Sequence, residues 1–498
     1  MRQTITFLFF TVFTLVLSAQ TATIQGGSSY GTIQEAVDAS TDGDVILITG
    51  VHTESISVSK SITLRGTDPT IDIIQAAASA LSDGSGTRVV SLSRPTTEVL
   101  NITIENLGIR YGNAPGTDNG GGIDADKITG LLTLKNLIIK DNHTGKNGGG
   151  LSLAGTNANI IECTIQNNSS TLDGGGIILA PNNGAGVDSA VNIKQSLIDS
   201  NSGRNGGGLY VNGNNGFGND FTIAVDIENS TVSNNTAFSA SGGNGGGAIF
   251  CTSFPLTSNT STGNTTLNLV QATFYNNYHA ALAKAGLQFA GTALTNFSAY
   301  NSIVVSADDV NTKALNFANT NTTNVVNCIL GGLNAAPALL DDVAKNNLKG
   351  KTATFAGLTG VLTSEGGSTQ VLAIAESSAA DDFCSAATGI TIPTVDQRGY
   401  AREGFNDAGA FEFGGTLGLS DEMYKNNFVR IFPNPAQDFV KISGVNSVNS
   451  VRVYSILGTL EKVIDNQIEF NVADLSSGIH MMVIETNGLK TVKRIIKK

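Results

Sequence analysis

Triple glycines recur at positions 120–122, 148–150, 174–176, 206–208 and 245–247, and an apolar-periodic segment followed by Asn precedes each one. Self-similarity at a period of roughly 20–50 residues marks a solenoid or a propeller, in which each repeat buries its apolar face against its neighbours. A propeller blade needs four antiparallel strands and a signature such as Trp-Asp. This chain of 498 residues has no Trp.

The repeat aligns more tightly on short strand-like segments than on its glycines. The copies are Asn106-Leu107-Gly108-Ile109, Asn136-Leu137-Ile138-Ile139, Glu162-Cys163-Thr164-Ile165, Gln195-Ser196-Leu197-Ile198, Asn229-Ser230-Thr231-Val232, Gln271-Ala272-Thr273-Phe274, Asn301-Ser302-Ile303-Val304 and Asn327-Cys328-Ile329-Leu330. The first column is Asn, Gln or Glu throughout, which predicts a stacked amide ladder like those of cross-β arrays. The second and fourth columns are small or apolar, and period-two alternation places both on one face, read as the interior. Three residues beyond the fourth column stand Asn142, Asn168, Asn201, Asn235 and Asn277. Intervals run from 26 residues (Leu137 to Cys163) to 42 (Ser230 to Ala272). Constant strands with variable loops predict eight coils of a parallel β-helix, with glycines at corners that need positive φ.

Arg2, an apolar run over residues 7–17, and Ser18-Ala19 predict a secretory signal peptide over residues 1–19. The run is shorter than the roughly 20 residues that span a bilayer, and nothing further along reads as transmembrane. Thr32-Ile33-Gln34-Glu35 is a capping box and predicts a short helix over residues 32–40, followed by strands at 45–48, 56–58 and 62–64. The passage from Tyr30-Gly31-Thr32 to Leu64-Arg65-Gly66 resembles the N-terminal cap of pectate-lyase-like right-handed β-helix proteins. That resemblance implies the handedness of the fold and says nothing of activity.

The net charge is −12; residues 425–498 hold ten Lys/Arg and six Asp/Glu, a balance of +4, so the rest of the chain carries −16. An acidic body argues against nucleic acid as a partner. Four Cys in a secreted chain could form two disulfides. Cys163 and Cys328, however, share the second column five coils apart. At about 4.8 Å per coil that is about 24 Å, far beyond bridging distance. Pairing of Cys251 and Cys384 stays open.

The repeat fades over residues 331–395. Val395-Asp396-Gln397-Arg398-Gly399-Tyr400-Ala401-Arg402 and Asp407-Ala408-Gly409-Ala410-Phe411-Glu412 then resemble the terminal segment of secreted bacterial β-helix proteins called choice-of-anchor Q. Members commonly carry a Cys where this chain has Asn406, so Cys384 lacks that partner. Asp396, Arg398, Arg402 and Glu412 read as a structural cap at the end of the fold rather than as a catalytic set, because charges at a fold terminus satisfy exposed backbone groups.

A Gly-rich linker is expected over residues 414–426. Beyond it, alternating segments at 440–442, 451–454, 468–471, 481–484 and 491–495 predict a small β-sandwich. Pro433-Asn434-Pro435, Val453-Tyr454-Ser455-Ile456-Leu457-Gly458, Asp474-Leu475-Ser476-Ser477-Gly478 and Lys493-Arg494-Ile495-Ile496-Lys497-Lys498 closely resemble the C-terminal sorting domain of Bacteroidetes type IX secretion cargo. His480 departs from the Tyr usual there. The resemblance implies that residues 427–498 are a sorting domain, with Pro433, Asn434, Pro435, Gly458, Gly478 and Lys493 among its motif residues. It further implies the type IX secretion machinery as a partner, passage to the outer-membrane surface or the medium, and removal of the domain.

Chemistry is harder to find. Gly242-Gly243-Asn244-Gly245 begins a calcium-binding nonapeptide, but Gly247 stands where Asp is required. Asp118, Asp124 and Asp126 could ligate Ca²⁺, although carboxylates in turns are ordinarily solvated. Acid–base candidates are Asp141 with Lys140 and His143, and Asp199 with Arg204; neither has an adjacent acidic cluster. No Asp–Asp pair sits on a repeat strand, as paired-carboxylate glycosidases need. His52, His143, His279 and His480 show no metal-ligand spacing.

The expectation is an all-β chain. Residues 20–413 form a right-handed parallel β-helix solenoid with a helical cap, followed by a small C-terminal β-sandwich. No catalytic residue, cofactor or metal is assigned. The expected role is a secreted or cell-surface protein, adhesive or glycan-contacting without catalysis. The alternative is a polysaccharide lyase or glycoside hydrolase acting on an acidic glycan.

Overall fold

The computed structural model describes residues 20–93, 99–181, 188–214, 220–239, 245–253, 263–279, 286–291, 295–307, 313–316, 321–334, 340, 342–402, 404–417, 430–443, 448–455, 458–486 and 489–498. The expected signal peptide and most of the expected linker lie outside these residues. The chain divides into two units, Met1–Gly415 and Thr416–Lys498.

Three long sheets run along the first unit. Sheet A has twelve strands: Ser29–Tyr30 and Thr21–Ile24, both antiparallel, then a parallel run from Val45–Thr49 to Asn321–Val326. Sheet B has ten strands, from Val51–Thr53 to Ile329–Leu330, and sheet C ten, from Ile56–Val58 to Gly332–Asn334. Sheet D adds six two-residue strands, from Asn113–Ala114 to Tyr278–His279. A representative coil passes from Leu131–Lys135 in A to Ile138–Lys140 in B, His143–Thr144 in D and Leu151–Ala154 in C, then returns to A. Parallel crossovers are right-handed almost without exception, which makes this a right-handed parallel β-helix.

The fourth column stacks as expected. Ile74, Ile109, Ile139, Ile165, Ile198, Val232, Phe274, Val304 and Leu330 lie in register on successive strands of sheet B, each no more than 2% exposed. Sheet B reaches two strands further toward the N-terminus than the eight copies legible in sequence. Register puts Thr49 and Ile71 in the amide column there, and His52 in the apolar one, so neither strand fits the motif. All four Cys are free thiols; burial pushes Cys163 and Cys328 to about 12.

The first column corrects the expectation of an amide ladder on a strand. Asn106, Asn136, Glu162, Gln195, Asn229, Gln271, Asn301 and Asn327 adopt left-handed φ of 45–56° and turn the chain from sheet A into sheet B. Asn is enriched in that region of φ/ψ space. Side-chain amides stack there between Asn136 and Asn106 at 2.8 Å and between Asn327 and Asn301 at 2.9 Å.

The continuous ladder stands at the next corner, between sheets B and D. Asn142 Nδ2 donates to Asn168 Oδ1 at 3.0 Å, Asn168 to Asn201 at 3.0 Å, Asn201 to Asn235 at 2.9 Å and Asn235 to Asn277 at 2.8 Å. Each amide also donates to a carbonyl of the preceding coil, such as Asn168 to Ile139 O at 2.9 Å. The triple glycines pack against this ladder. Their first members turn the chain at φ of 62–73° (Gly120, Gly148, Gly174, Gly206). A Cβ on the second would lie 2.3–2.5 Å from sheet D backbone, and on the third 2.5–2.7 Å from the next coil's carbonyl. The fifth triplet is displaced by one residue. Ile249 pairs with Leu209, so Gly246-Gly247-Ala248 fills the glycine places and Gly245 falls one position earlier.

At the N-terminal end, helix α1 (Ile33–Ala39) has Thr32 as its N-cap with the capping box complete, and buries Ile33, Ala36 and Val37 in the core. The strand expected at 62–64 lies one residue on, at Thr63–Arg65.

Residues 366–412 do not cap the end of the solenoid; they run along its flank as a strap. Asn229 Nδ2 donates to Val395 O at 2.8 Å, Thr231 Oγ1 to Gln397 Oε1 at 2.7 Å, Gly409 N to Asn301 O at 2.8 Å and Asn327 Nδ2 to Ala386 O at 2.8 Å. The polar first column thus faces the strap. Arg398–Asp396 (2.7 Å) and Arg402–Glu412 (2.9 Å) are buried ion pairs inside the strap, and Arg402 also donates to Asn229 Oδ1 at 3.0 Å. Leu358, Leu372, Ile374 and Phe411 pack on Ile303, Val305 and Ile329, the outward side chains of sheet B. Cys384 faces Asn406 across an antiparallel bridge, so Asn406 occupies the place of the missing partner.

The second unit is a two-sheet sandwich. Arg430–Phe432, Phe439–Ser443 and Glu469–Asn471 form one antiparallel sheet; Leu460–Asp465, Ser450–Ser455, Gly478–Thr486 and Leu489–Lys497 form the other. Val440, Ile442, Val451, Val453, Met482 and Ile484 fill the space between them.

Two consequences are testable. Ile165→Ala should cost about 2–5 kcal/mol from lost transfer energy and the cavity left behind. Ile165→Asp should cost more, because an unpaired charge meets an apolar stack. Limited proteolysis should find the cuts in the adjoining coils, with the second unit spared; a first unit as resistant as wild type would place Ile165 on the surface. In the strap, burial pushes the Asp407 carboxyl up to about 7, with the Glu412 and Asp381 carboxylates adding to the rise and backbone N–H donors from Asp382 and Phe413 opposing it. An unfolded Asp titrates near pH 4, roughly, so between that pH and about 7 the folded chain holds the extra proton and stability declines as pH rises. Asp407→Asn cannot titrate and should flatten that decline in melting temperature; an unchanged slope would clear Asp407 of the effect.

Candidate functional site

One residue before the first glycine of each corner stands a second, outer column: Asn119, Asn147, Asp173 and Asn205. Register aligns them through the paired strands of sheet C. Asn147 Nδ2 donates to Asn119 Oδ1 at 3.3 Å, Asp173 N to Asn147 Oδ1 at 3.0 Å and Asn205 Nδ2 to Asp173 Oδ1 at 2.9 Å. Arg204 grips the same carboxylate with Nε at 3.1 Å and Nη2 at 2.9 Å. Those bonds raise the Arg204 pKa above its ordinary value. On the next coil the aligned position is Gly245, which has no side chain, and the column stops. The Asn205 Oδ1 acceptor is buried there without a hydrogen-bond partner.

Across from this column, the outward face of sheet C carries Ile178, Tyr210 and Phe250 on successive strands. The Tyr210 and Phe250 rings stack with centroids 5.6 Å apart at 14°. Ile178 lies over the first glycines: a Cβ on Gly148 or Gly174 would approach it to 2.8 or 3.0 Å. Burial pushes the Tyr210 phenol to about 12, so it stays protonated, and its hydroxyl lies 3.4 Å from Thr252 Oγ1.

Between the two columns lies a cavity of about 320 Å³, lined by Asn147, Asp173, Arg204, Asn205, Asn212 and Thr252 together with the three stacked side chains. That volume is at the lower end for small-ligand sites. Among the described lining residues Asp173 is the one carboxylate, and Arg204 and Asn205 occupy it. Hydrolysis of a glycosidic bond ordinarily uses two carboxyl groups across the scissile bond, and the described lining holds one.

The candidates legible in sequence fall elsewhere. Asp199 and Arg204 do not meet. Asp199 is buried and accepts from Ser233 at 2.7 Å, Asn234 at 2.9 Å and Gln166 at 3.0 Å. Asp141 sits at a left-handed corner, φ 56°. His143 holds Ser169 Oγ at 2.8 Å, with burial pushing its pKa down. Arg88 bridges Asp118 at 3.2 Å and Asp124 at 2.6 Å, and Asp126 lies 3.8 Å from Lys127. Among the described residues no group of three or more His, Cys, Asp or Glu is placed to hold a metal ion.

Asp226 and Glu228, an Asp–Glu pair rather than an Asp–Asp one, share the outward face of one sheet A strand beside a cavity of about 300 Å³. Asn268 already holds Asp226 at 2.7 Å, and Lys194 holds Glu228 at 3.3 Å. The outer column was visible in sequence as the polar residue before each triplet. The cleft beside it was not, because its lining comes from residues 147 to 252, brought together only by coil register.

In the second unit, Pro433-Asn434-Pro435 follows the first strand with both X–Pro bonds cis. Asn434 donates to Arg494 O at 2.9 Å and accepts from Ile496 N at 2.8 Å, continuing the edge of the last strand. Gly458 (φ 82°) donates to Ser455 O at 3.0 Å in a turn. Gly478 pairs with Lys497, and Lys493 with Met482; burial pushes the Lys493 ammonium pKa down. His480, in place of Tyr, is buried between Glu461 at 2.5 Å and Ser476 O at 2.8 Å.

Comparison with known proteins bears on the two units differently. Residues 430–498 match the family model of the secretion system C-terminal sorting domain. The protein is therefore directed by the type IX route to the cell surface or the extracellular space. A solved structure described as pectate lyase Pel9A is 14% identical, covering 76% of this chain and 90% of its own, with a TM-score of 0.34. No curated protein matches the chain. Among the described residues no helix is long and apolar enough to cross a membrane.

Proposed function

We propose that this secreted β-helix protein contacts a glycan at or beyond the cell surface, without catalysis, through the cleft beside Arg204. One observation carries the reading: planar amides, a bidentate Arg–Asp pair and a phenol converge on a cavity in which the one carboxylate among the described lining residues is already neutralised. Sugar hydroxyls are matched by planar polar groups held on a rigid frame, and a ladder of paired strands supplies that frame with little ordering cost on binding. Immobilised polysaccharides should retain the secreted protein while releasing neither reducing ends nor unsaturated products. Turnover of any of them would replace this reading with the lyase or hydrolase alternative.

Export is the other half of the function. Residues 427–498, with Pro433, Asn434, Pro435, Gly458, Gly478 and Lys493 as motif positions, act as the address read by the type IX machinery. Deleting them should leave the protein in the periplasm, detectable by fractionation. Surface display of the truncated chain would show that the address lies elsewhere.

A further inference from the structure

We infer that Arg110 and Lys140, on the outward face of sheet B, form a site for an oxyanion: a carboxylate, sulfate or phosphate group. The site lies on a different sheet from the cleft beside Arg204. It goes beyond the glycan-contact reading and does not rest on it.

The first observation is a missing partner. The chain outside residues 425–498 carries −16, so acid is in excess there. The other described arginines of the first unit each find some of it. Arg65 holds Glu105, Arg88 holds Asp118 and Asp124, Arg204 holds Asp173, Arg398 holds Asp396 and Arg402 holds Glu412. Among the described residues Arg110 is the one arginine of that unit with no carboxylate. Its register partner on the next coil is Lys140, which holds none either. Asp141, next in the chain, pairs with neither. Like charges directly opposite on adjacent strands repel, and an anion from outside the chain removes that repulsion.

The second is the way Arg110 is held. Its Nε donates to Gln75 Oε1 at 2.8 Å, and Gln75, only 6% exposed, donates in turn to Thr53 Oγ1 at 3.0 Å. The Tyr111 ring centre lies 4.7 Å from the guanidinium carbon. The guanidinium is therefore fixed at Nε and on one face. Its two Nη groups have no acceptor among the described residues, and that fork is the part that fits an oxyanion. Lys140 adds an ammonium with its donors equally uncommitted.

The third is strain beneath the pair. Tyr111 has φ of 62°, where the aligned corners of later coils carry Asp141, Asn167, Ser200, Asn234 and Asn276 at 51–56°. Asn and Asp enter this region readily, whereas a bulky ring there is an outlier of the kind that collects at binding sites. The contact the ring makes is with Arg110. The place is also open. A Cβ on Gly108 would lie 2.7 Å from Pro69 O, so that turn roofs the coil before, and from Leu197 onward the strap buries the outward face. Between them Arg110, Ile138, Lys140 and Thr164 are partly exposed.

Isothermal titration calorimetry of the full secreted protein at low ionic strength tests the site. The probes are inorganic phosphate, sulfate, glucuronate and a sulfated hexose, with glucose as the neutral control. Wild type should bind at least one oxyanion at a single site and ignore glucose. Arg110→Gln and Lys140→Gln should each weaken that binding by about tenfold or more, as loss of a charge-assisted bond does. Tyr111→Asn should raise the melting temperature, by relieving the corner, and yet weaken the anion several-fold, by freeing the guanidinium. A ring with a purely structural role would give a lower melting temperature and unchanged affinity. Tighter binding of the inorganic ions identifies a free ion as the source; tighter binding of the sugar acids identifies an anion carried on a glycan. Either result supports the site. No oxyanion bound by the folded wild type, or binding unchanged in both charge variants, would overturn it. Neither outcome touches the cleft on sheet C, whose reading stands or falls on polysaccharide retention and turnover.

Discussion

Backbone lies on backbone at the corner between sheets D and C, and the rest of the first unit follows from that contact. The second glycine of each triplet approaches the sheet D strand so closely that a Cβ would lie within 2.5 Å of it. Carbonyls and amides brought this near must be paired, since a buried unpaired group costs far more than a made bond returns. The amide column from Asn142 to Asn277 does that pairing. From Asn142 to Asn235 each Nδ2 donates to the next amide and to a backbone carbonyl, and Asn277 ends the column by donating to the Val232 and Tyr275 carbonyls. Glycine supplies the space and Asn fills the bonds, so the two residue types recur together. Apolar columns on sheets A, B and C can then vary in size, from Cys to Phe, because the corner rather than the side-chain volume fixes the register.

The interior was legible because burial is periodic. Ile109, Ile139 and Ile165 alternate with small residues on a strand, and nothing local competes with that pattern. The corners were less legible. Asn136 and Gln195 look like strand residues in an alternating string, and only their left-handed φ removes them from the strand. Asp199 and Arg204 are five residues apart in sequence, yet the left-handed Ser200 between them turns Asp199 toward sheet B while Arg204 continues toward the cleft. Asp173 and Arg204, the pair that does form, are thirty-one residues apart in sequence. Such contacts follow from coil register, which loop length hides.

The charged segment near residue 400 shows the same limit from another side. Its position late in the chain reads as the end of the fold. In space it returns along the flank, because the first column offers it a row of outward amides and sheet B a row of outward Ile and Val. The buried pairs Arg398–Asp396 and Arg402–Glu412 hold the segment's own turns together. Pairs buried in this way are poor sources of net stability and better suited to fixing one conformation.

The strap also decides how the molecule carries load. A plain solenoid pulled from its C-terminal side peels coil by coil, each rupture meeting one coil's bonds. Here the chain passes through residues 366–412 before it leaves the first unit at Gly415. Tension entering from beyond that point reaches the strap first. Its hydrogen bonds are spread from Glu162 to Asn327, across six coils, so the strap ties those coils to one another instead of to a single neighbour. For a protein exported to the cell surface or the medium, that makes the flank a lap joint rather than a zipper.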